Sequence, residues 1–495
     1  MAPAARCAEN QPGRNTPPDG DGASGFTRGK ERGSALPTLS DDTVGDSLTI
    51  PLLVDVEGAG DRPRTDSKVA PEKSSVGGVV LNLFNTMVGA GIMALPYQVA
   101  TLGVVLGFVF SLALGYVLYL TAAALIRACH RSGHRTYTDV IRGELGLFWG
   151  HFVQWCIILQ NTGGLAIYLI IIGDVLMGSK RFGGIVPEFA QLCGFESSIF
   201  TRRWFVLFLV CILFLLPLVS KRNLSALVHA SAFANVLVVF FALVVAVLFV
   251  HSAVNGTLAS MSWGLNRALA GSSPWTMAVT LLAALPTMMC AYVAHMNVPP
   301  LMEELRAYSR DRMILATRLT FTASTALYIL VPVGAYAVFG EETETDILLN
   351  FTPGYLTKIV GARTSTILGT AVALFYVTKL ILTFPLINWA LRENLSDLFF
   401  GVSRPTGWRF YLVTYGALAT SYLLSVTLGS IEIAMDFVGC TAVMGMALLA
   451  PAMLLAKHEW RSLRSRIVAV VCIILSGVIL VVGNTKVTWQ LLHKS

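Results

Sequence analysis

Charge is missing from long parts of this 495-residue sequence. No Asp, Glu, Lys or Arg occurs between Gly77 and Ile126, and only 13% of all residues are charged, whereas 55% are hydrophobic. The mean hydropathy is +0.66. A membrane-spanning helix needs about 20 predominantly apolar residues, and charge-free segments of this length provide them. We therefore interpret the chain as a polytopic membrane protein.

Paired cysteine spacing and an N-terminal apolar segment are missing as well. The eight cysteines are scattered, mostly through apolar segments, which argues against both a disulfide framework and a metal site. Residues 1–75 are rich in Gly, Pro, Ser, Asp and Arg, a composition that predicts a disordered tail. The tail has no signal-peptide segment, so the first span is expected to be an uncleaved anchor. The net charge of +7 does not indicate nucleic-acid binding, because Lys and Arg are dispersed in short loops.

Eleven apolar segments follow the tail. They lie near residues 77–99, 103–126, 152–177, 204–219, 228–252, 276–301, 313–339, 366–391, 409–429, 433–456 and 467–485. Backbone groups in hydrocarbon must be bonded within the protein, so each segment is expected to be a helix. The prediction is an all-α membrane domain of 11 transmembrane helices over residues 76–487, with a short terminus, 488–495, on the opposite side from the tail.

Basic loop residues predict the orientation. With the tail in the cytoplasm, fourteen loop Lys and Arg residues are cytoplasmic and seven are on the other side, which is the favoured bias. The glycosylation sequons at Asn255 and Asn350 then fall on the lumenal or extracellular side, and we expect only these two to be glycosylated. The sequons at Asn223 and Asn394 fall on the cytoplasmic side.

The first apolar segment contains residues that interrupt helices. Gly89, Gly91 and Pro96 cluster within it, and each is a poor interior helix residue. Broken backbone at membrane depth survives only where it is buried in protein or lines a cavity. Its freed amides then suit an anion and its freed carbonyls a cation. The alternative is that these glycines serve close helix–helix packing.

A second interrupted segment begins about 200 residues later, between Cys290 and Pro300. It has polar residues in mid-span and a proline pair at its end. Broken helices in corresponding positions of two halves are typical of inverted-repeat transporters, with the binding site at the breaks. On this interpretation spans 1–5 and 6–10 are the repeats, and span 11 lies outside them.

The interrupted segment from Phe84 to Pro96 resembles the first helix of the amino acid/auxin permease family, especially its sodium-coupled neutral amino acid transporter and plant vacuolar transporter branches. Further matches follow in order over about residues 76–487, at Tyr168–Asp174, Ala291–His295, Pro299–Leu305, Thr383–Glu393 and Phe437–Ala442. The resemblance implies a leucine-transporter-like (LeuT-like) five-plus-five inverted repeat plus one helix. It also implies alternating access and an amino acid substrate, neutral ones ahead of acidic ones.

The resemblance also implies a substrate site. The backbone of Gly89, Ala90 and Gly91, beside Asn85, would receive the carboxylate of the substrate. Carbonyls from Ala291 through Tyr292 to His295 would receive its ammonium group. Tyr168 either closes over the substrate or packs at an interface. The His295 imidazole either titrates in a pH-sensitive step or is a satisfied core group.

The implied coupling site is Asn85 with Thr378, whose oxygens suit a hard cation such as Na⁺. Lys379 departs from the family, because sodium-coupled members have an apolar residue there. Its ammonium group would repel Na⁺ and could replace it, so coupling to Na⁺ and coupling to H⁺ both stay open. Asp436 is a candidate partner for Lys379, and Asp174 is expected to cap a helix or to form an ion pair.

These features predict a secondary active transporter of amino acids with no cofactor besides the coupling ion. Its partners are the substrate, the bilayer and any sorting or regulatory protein that binds the tail. The alternative function is a membrane sensor that binds an amino acid at the same site without moving it. An enzyme is disfavoured, because no nucleophile–base pair or metal-ligand spacing lies near the spans. The resemblance favours a vacuolar or lysosomal membrane, with the plasma membrane as the alternative.

Overall fold

The computed structural model describes residues 74–178, 184–192, 194, 199–221, 225–266, 273–402 and 404–492. The predicted tail over residues 1–75 therefore lies almost wholly outside the described residues, as do residues 493–495 of the C-terminal segment 488–495. Every described regular element is a helix, and Ser74 and Leu305 form an isolated strand-like bridge. The all-α class is confirmed.

The helices of the first half are α1 (Val76–Met87), α2 (Gly91–Leu102), α3 (Val104–Ser132), α4 (Tyr137–Leu145), α5 (Leu147–Met177), α6 (Ile185–Leu192), α7 (Arg203–Val219) and α8 (Ser225–Val254). Those of the second half are α9 (Pro274–Ala291), α10 (Val298–Glu304), α11 (Arg310–Phe339), α12 (Pro353–Val360), α13 (Ala362–Phe400), α14 (Trp408–Leu428), α15 (Ile431–His458) and α16 (Leu463–Leu492).

The described residues contain nine helices that are long and apolar enough to cross a membrane, or ten when the bent pair α1–α2 counts as one span. The predicted span near residues 204–219 corresponds to α7, which is shorter and contains a π-helical turn over Cys211–Leu215. A polytopic membrane protein is thus observed, while the number eleven and the inverted repeat stay predictions.

The first predicted break lies between α1 and α2, whose axes differ by 63°. Helix α1 ends at Met87, and Val88 takes non-helical backbone angles. Pro96 is buried inside α2, where its missing N–H leaves one fewer helical hydrogen bond in the first turns. The break therefore coincides with the cluster of poor helix formers.

The second predicted break is also observed. Helix α9 ends at Ala291, and a 3-10 turn over His295–Asn297 leads into the short helix α10. Pro299 occupies the first turn of α10, a position where the missing N–H of proline costs nothing.

Two contacts mark the side of the bundle from which α1 starts, called the near side below. Ser74 forms a parallel bridge with Leu305: its N–H donates to Glu304 O, and the Arg306 N–H donates to Ser74 O, each at 2.8 Å. The Arg127 guanidinium lies 2.7 Å from a Glu459 carboxylate oxygen. The opposite side, which carries Asn255 and the loop from α11 to α13, is called the far side.

The structure places the sequons in different environments. Asn255 is exposed after α8, whereas Asn350 is fully buried. The Asn350 amide donates to Glu342 O and accepts from the Glu344 N–H, both at 2.8 Å. The Asn255 side-chain amide donates to His251 O at 2.8 Å. The two sequons thus differ in burial, and glycosylation at both stays a prediction. Asn394 lies within α13, and Asn223 is outside the described residues.

Candidate functional site

The first break leaves three backbone donors unused. The amides of Ala90, Gly91 and Ile92, at the start of α2, donate to no acceptor among the described residues. No side chain of the described residues caps this helix start. Unpaired amides and the helix dipole make a helix N-terminus attractive to an anion, and such amides are costly at membrane depth unless a ligand binds them.

Tyr328 of α11 joins the two breaks. Its hydroxyl lies 2.5 Å from Met87 O at the end of α1 and 2.8 Å from Ala291 O at the end of α9. Both carbonyls are at helix C-termini, where no amide of the same helix can reach them. One fully buried hydroxyl therefore lies against the carbonyl-bearing ends of both broken spans.

The two breaks are also in direct contact. A Cβ on Gly91 would stand 2.7 Å from Cα and Cβ of Ala291, closer than carbon atoms can approach. The side-chain Nδ2 of Asn297, in the 3-10 turn, donates to the Thr86 hydroxyl of α1 at 2.9 Å. Gly91 thus serves close packing between the breaks, whether or not its amide also binds a ligand.

Gly89 has a more open environment. A Cβ there would meet only the Tyr168 hydroxyl, at 3.7 Å, and the Thr86 carbonyl, at 4.0 Å. The Tyr376 hydroxyl of α13 donates to Gly89 O at 3.2 Å. Two tyrosines from neighbouring helices therefore adjoin the half-exposed backbone of Gly89, and the structure brings Tyr168 to the break as the sequence suggested.

The side chains of Tyr292 and His295 bond elsewhere. The Tyr292 hydroxyl donates to Ser111 O at 3.1 Å, and its ring packs edge-on against Tyr328. His295 Nε2 lies 3.0 Å from the Thr121 hydroxyl, which itself donates to Leu118 O, so Nε2 is the donor to Thr121. Both side chains hold the second break against α3, which leaves backbone carbonyls as the groups that can face a substrate.

Lys379 is almost fully buried in the middle of α13. Its ammonium nitrogen has no hydrogen-bond partner among the described residues and lies 4.9 Å from the centroid of the Tyr376 ring. Because Tyr376 bonds Gly89, the lysine is one aromatic ring away from the first break. An uncompensated charge at this depth costs several kcal/mol on most estimates.

Thr378 and Asn85, the two residues predicted to bind a coupling cation through oxygen atoms, differ in their surroundings. Thr378 is half-buried, and its hydroxyl donates to Leu374 O of its own helix at 2.7 Å. Leu374 and Phe375, one turn before Thr378, are both exposed on the outside of α13. Asn85 is half-buried in the last turns of α1. The inward face of α13 near the break is therefore formed by Tyr376 and Lys379 rather than by Thr378.

The candidate pairing of Lys379 with Asp436 is not formed. Asp436 lies in α15 with one carboxylate oxygen 2.7 Å from Nζ of Lys486 in α16, and its other oxygen accepts from the Thr287 hydroxyl at 2.5 Å. Lys486 also bonds Glu432 at 2.7 Å. The position of a residue within its span does not indicate which other helices adjoin it.

Asp174 forms an ion pair, as expected. Its carboxylate lies 2.5 Å from the Arg203 guanidinium, which also donates to Ile170 O at 3.0 Å. No group of three or more His, Cys, Asp or Glu able to hold a metal ion occurs within the described ranges.

Sequence reasoning missed Tyr328, Tyr376 and Asn297. A lone Tyr in an apolar segment is common near membrane interfaces and packs in many ways, so nothing set these two apart. Asn297 did have a signal, because a polar side chain in an interrupted span seldom lacks a partner within the bundle.

Comparison with known proteins agrees with this geometry. The profile of the family described as transmembrane amino acid transporter protein matches residues 72–489. The chain is 30% identical to Amino acid transporter AVT6E of Arabidopsis thaliana over 485 residues, which are 94% of this chain and 95% of the relative. It is 29% identical to Amino acid transporter AVT6C (81% and 91%) and 27% identical to Amino acid transporter AVT6A (89% and 93%), both from Arabidopsis thaliana. These relatives are named as transporters and not as enzymes, and the chain belongs to the transmembrane amino acid transporter protein family, as an integral membrane protein of several spans.

Proposed function

We propose that this protein is a secondary active transporter that binds an α-amino acid across its two breaks and moves it by alternating access. The observation that carries the proposal is the group of free amides at Ala90–Ile92, next to the carbonyl end of α9. Amides suit a carboxylate and carbonyls suit an ammonium group, so the pair matches the backbone of a zwitterionic amino acid.

The substrate class follows from the side chains around the breaks. Those that reach the breaks are Thr86, Tyr168, Asn297, Tyr328 and Tyr376, all of which are uncharged. A charged substrate side chain would find no opposite charge among them and would lose its hydration shell. We infer a preference for neutral amino acids.

The proposed architecture is the five-plus-five inverted repeat with a further helix, α16. It requires α7 to be the fourth of the five spans of the first repeat. At 1.5 Å per residue, the 17 residues of α7 reach about 25 Å, close to the thickness of a bilayer core. The resemblance of α5 and α13 to plant vacuolar transporters supports a vacuolar or lysosomal membrane.

For coupling we propose a proton in preference to Na⁺. The support is that Lys379, and not Thr378, is on the inward face of α13 beside Tyr376. A fixed ammonium would repel a sodium ion at the neighbouring site by roughly 4 kcal/mol at 4 Å and intermediate dielectric. If Lys379 gains and loses a proton during transport, the charge at this position changes without any metal ion, and the proton takes the role that Na⁺ would have.

The test is uptake of labelled amino acids into proteoliposomes that contain the purified chain, with Gly89→Val as the site variant. The new side chain would meet the Tyr168 hydroxyl in the space assigned to the carboxylate, so uptake should fall to the level of empty liposomes. Gly416→Val is the matched control, because a Cβ at Gly416 meets nothing within 4 Å.

If the uptake by Gly89→Val were close to that of the control, the first break would not be part of the substrate-binding site. Substrate binding to the wild-type protein without uptake would support the sensor. Gly91→Val is not informative, because its side chain would clash with Ala291 even if no substrate bound there.

A further inference from the structure

The loop between α11 and α13 covers the far side of the bundle. This cap segment, residues 340–360, contains a 3-10 turn over Gly340–Glu342, a 3-10 turn over Ile347–Phe351, and α12. The second turn packs against α2, α5 and α13, the helices that carry Gly91, Tyr168 and Tyr376. The cap segment therefore lies on the far-side approach to the breaks.

Asp346 begins the second 3-10 turn and is fully buried. One of its carboxylate oxygens accepts from the Leu348 N–H at 3.0 Å. The other oxygen, also buried, has no hydrogen-bond partner among the described residues. A buried carboxylate oxygen without a partner is costly when charged, and a proton removes both the charge and the unmet need for a donor.

The surroundings of Asp346 leave its charge unmatched. The titratable and charged groups of the described residues that interact with it are Asp174 of α5, Arg203 of α7 and the Tyr376 hydroxyl of α13. Arg203 is already engaged by Asp174 at 2.5 Å. Glu344, on the cap segment itself, adds negative charge on the Asp174 side and accepts a hydrogen bond from Tyr355. Two carboxylates thus share one guanidinium, and an ionised Asp346 adds one uncompensated negative charge.

We propose that Asp346 is a proton-binding site supplied from the far-side compartment, and that its proton holds the cap segment down on α2, α5 and α13. When Asp346 ionises, its buried carboxylate becomes more stable in contact with water than inside the protein. The cap segment then packs less tightly on α2, α5 and α13. The site lies outside both breaks and is distinct from Lys379. It goes beyond the proposed transport, because it concerns the covering of the far-side approach rather than the binding of an amino acid.

The electrostatics of the site agree with this assignment. Burial raises the pKa of Asp346 well above its ordinary value, and the Asp174 carboxylate raises it further, while the Leu348 N–H and Arg203 oppose the rise. A raised pKa means that the folded protein holds a proton that the unfolded chain has released. The stabilisation is therefore complete at low pH and decreases as the pH rises from about 4 through the pKa of the folded state.

The experiment compares the thermal unfolding of the full chain, purified in detergent, with that of Asp346→Asn, between about pH 5 and about pH 7.5. The asparagine oxygen can still accept from the Leu348 N–H, but the side chain no longer titrates. The unfolding temperature of the wild type should fall by several degrees as the pH rises, and that of Asp346→Asn should fall less. Glu342→Gln, at an exposed carboxylate of the same cap segment, should follow the wild type.

A second variant keeps the test valid if Asp346→Asn fails to fold. Asp174→Asn frees Arg203 to compensate Asp346, so the fall in unfolding temperature should move to lower pH. Curves for both variants that run parallel to the wild type would overturn the assignment. So would a wild-type curve that depends on Na⁺, with choline as the replacement, rather than on pH. The measurement needs no transport, so its result and that of the uptake experiment are independent.

Discussion

Lys486 and Lys379, each within an apolar helix, differ in how their charge is matched. The Lys486 ammonium of α16 lies 2.7 Å from both Glu432 and Asp436 of α15. The Lys379 ammonium of α13 has no acceptor among the described residues and contacts a tyrosine ring. Both interrupt apolar helices, and their sequences give no hint of the contrast.

The contrast separates a structural charge from a candidate functional one. Around Lys486 the cluster joins α9, α15 and α16 through Thr287, Asp436 and Glu432, and removal of Lys486 leaves two carboxylates without a counter-ion. Around Lys379 no acidic group of the described residues relies on the ammonium as its counter-ion. A charge that no neighbour needs is better explained by function than by folding.

Removal of the matched lysine should have the largest effect on stability. Lys486→Met leaves Asp436 and Glu432 without a counter-ion, and we expect the folded state to lose about 3–5 kcal/mol. The measurement is the unfolding temperature of the purified protein. Lys358→Met is the control, because that lysine is 67% exposed and its pair with Glu342 is on the surface. Equal, small losses for both would show that the cluster around Lys486 is no different from a surface pair.

The next largest effect on stability is expected from loss of the Thr287 hydroxyl, the neutral group of the cluster around Lys486. Thr287→Val keeps the shape of the side chain but removes the hydroxyl that donates to Asp436, which should cost about 1.5–3 kcal/mol because the acceptor is charged. Thr322→Val serves as the control, since the Thr322 hydroxyl is exposed and bonds its own helix. An unfolding temperature equal to that of the control would mean that Lys486 alone satisfies Asp436.

Removal of the unmatched lysine should leave stability intact and alter coupling. Lys379→Met deletes an uncompensated buried charge, so its unfolding temperature should equal or exceed that of the wild type. Uptake into proteoliposomes should follow an imposed proton gradient in the wild type and lose that dependence in the variant. Wild-type uptake that requires Na⁺, ignores the proton gradient and survives Lys379→Met would restore the sodium interpretation.

The smallest effect is expected one residue away. Thr378→Val removes a hydroxyl that bonds its own helix on the outer face of α13, and the stability should change by no more than about 0.5 kcal/mol. Uptake should be unchanged as well if Lys379 carries the coupling. A loss of cation-dependent uptake in this variant alone would assign Thr378 as a ligand and weaken the contrast between the lysines.

The breaks could be predicted from the sequence because their causes are local. Glycine and proline act on the backbone at their own positions, so Gly89, Gly91 and Pro96 marked the first break, and the proline pair marked the end of the second. Tyr168 could be placed near the site through the resemblance. Asp174 could be expected to pair, because an acid near the end of a span needs a partner.

The rest could not be predicted because it depends on which helices adjoin. The partner of Asp436 comes from α16, a helix outside the proposed repeats, and the sequence does not show that α15 and α16 adjoin at this point. Tyr328 reaches two carbonyls whose residues are separated by about 200 positions along the chain. The sequence pattern of a helix indicates which of its faces is apolar. It does not indicate which helices pack beside it, and the contacts of Asp436 and Tyr328 depend on that packing.

The bridge between Ser74 and Leu305 has a mechanical consequence. It fastens the chain just before α1 to the chain just after α10, so the outer ends of the two half-helices share one anchor point. A motion that opens the near side must either move α1 and α10 together or break the two backbone hydrogen bonds. Each of these bonds contributes about 0.5–1.5 kcal/mol. Since about 1.4 kcal/mol corresponds to a tenfold change in an equilibrium constant, the two bonds favour the bridged arrangement by roughly tenfold to a hundredfold, a preference that the proposed alternating access would have to overcome.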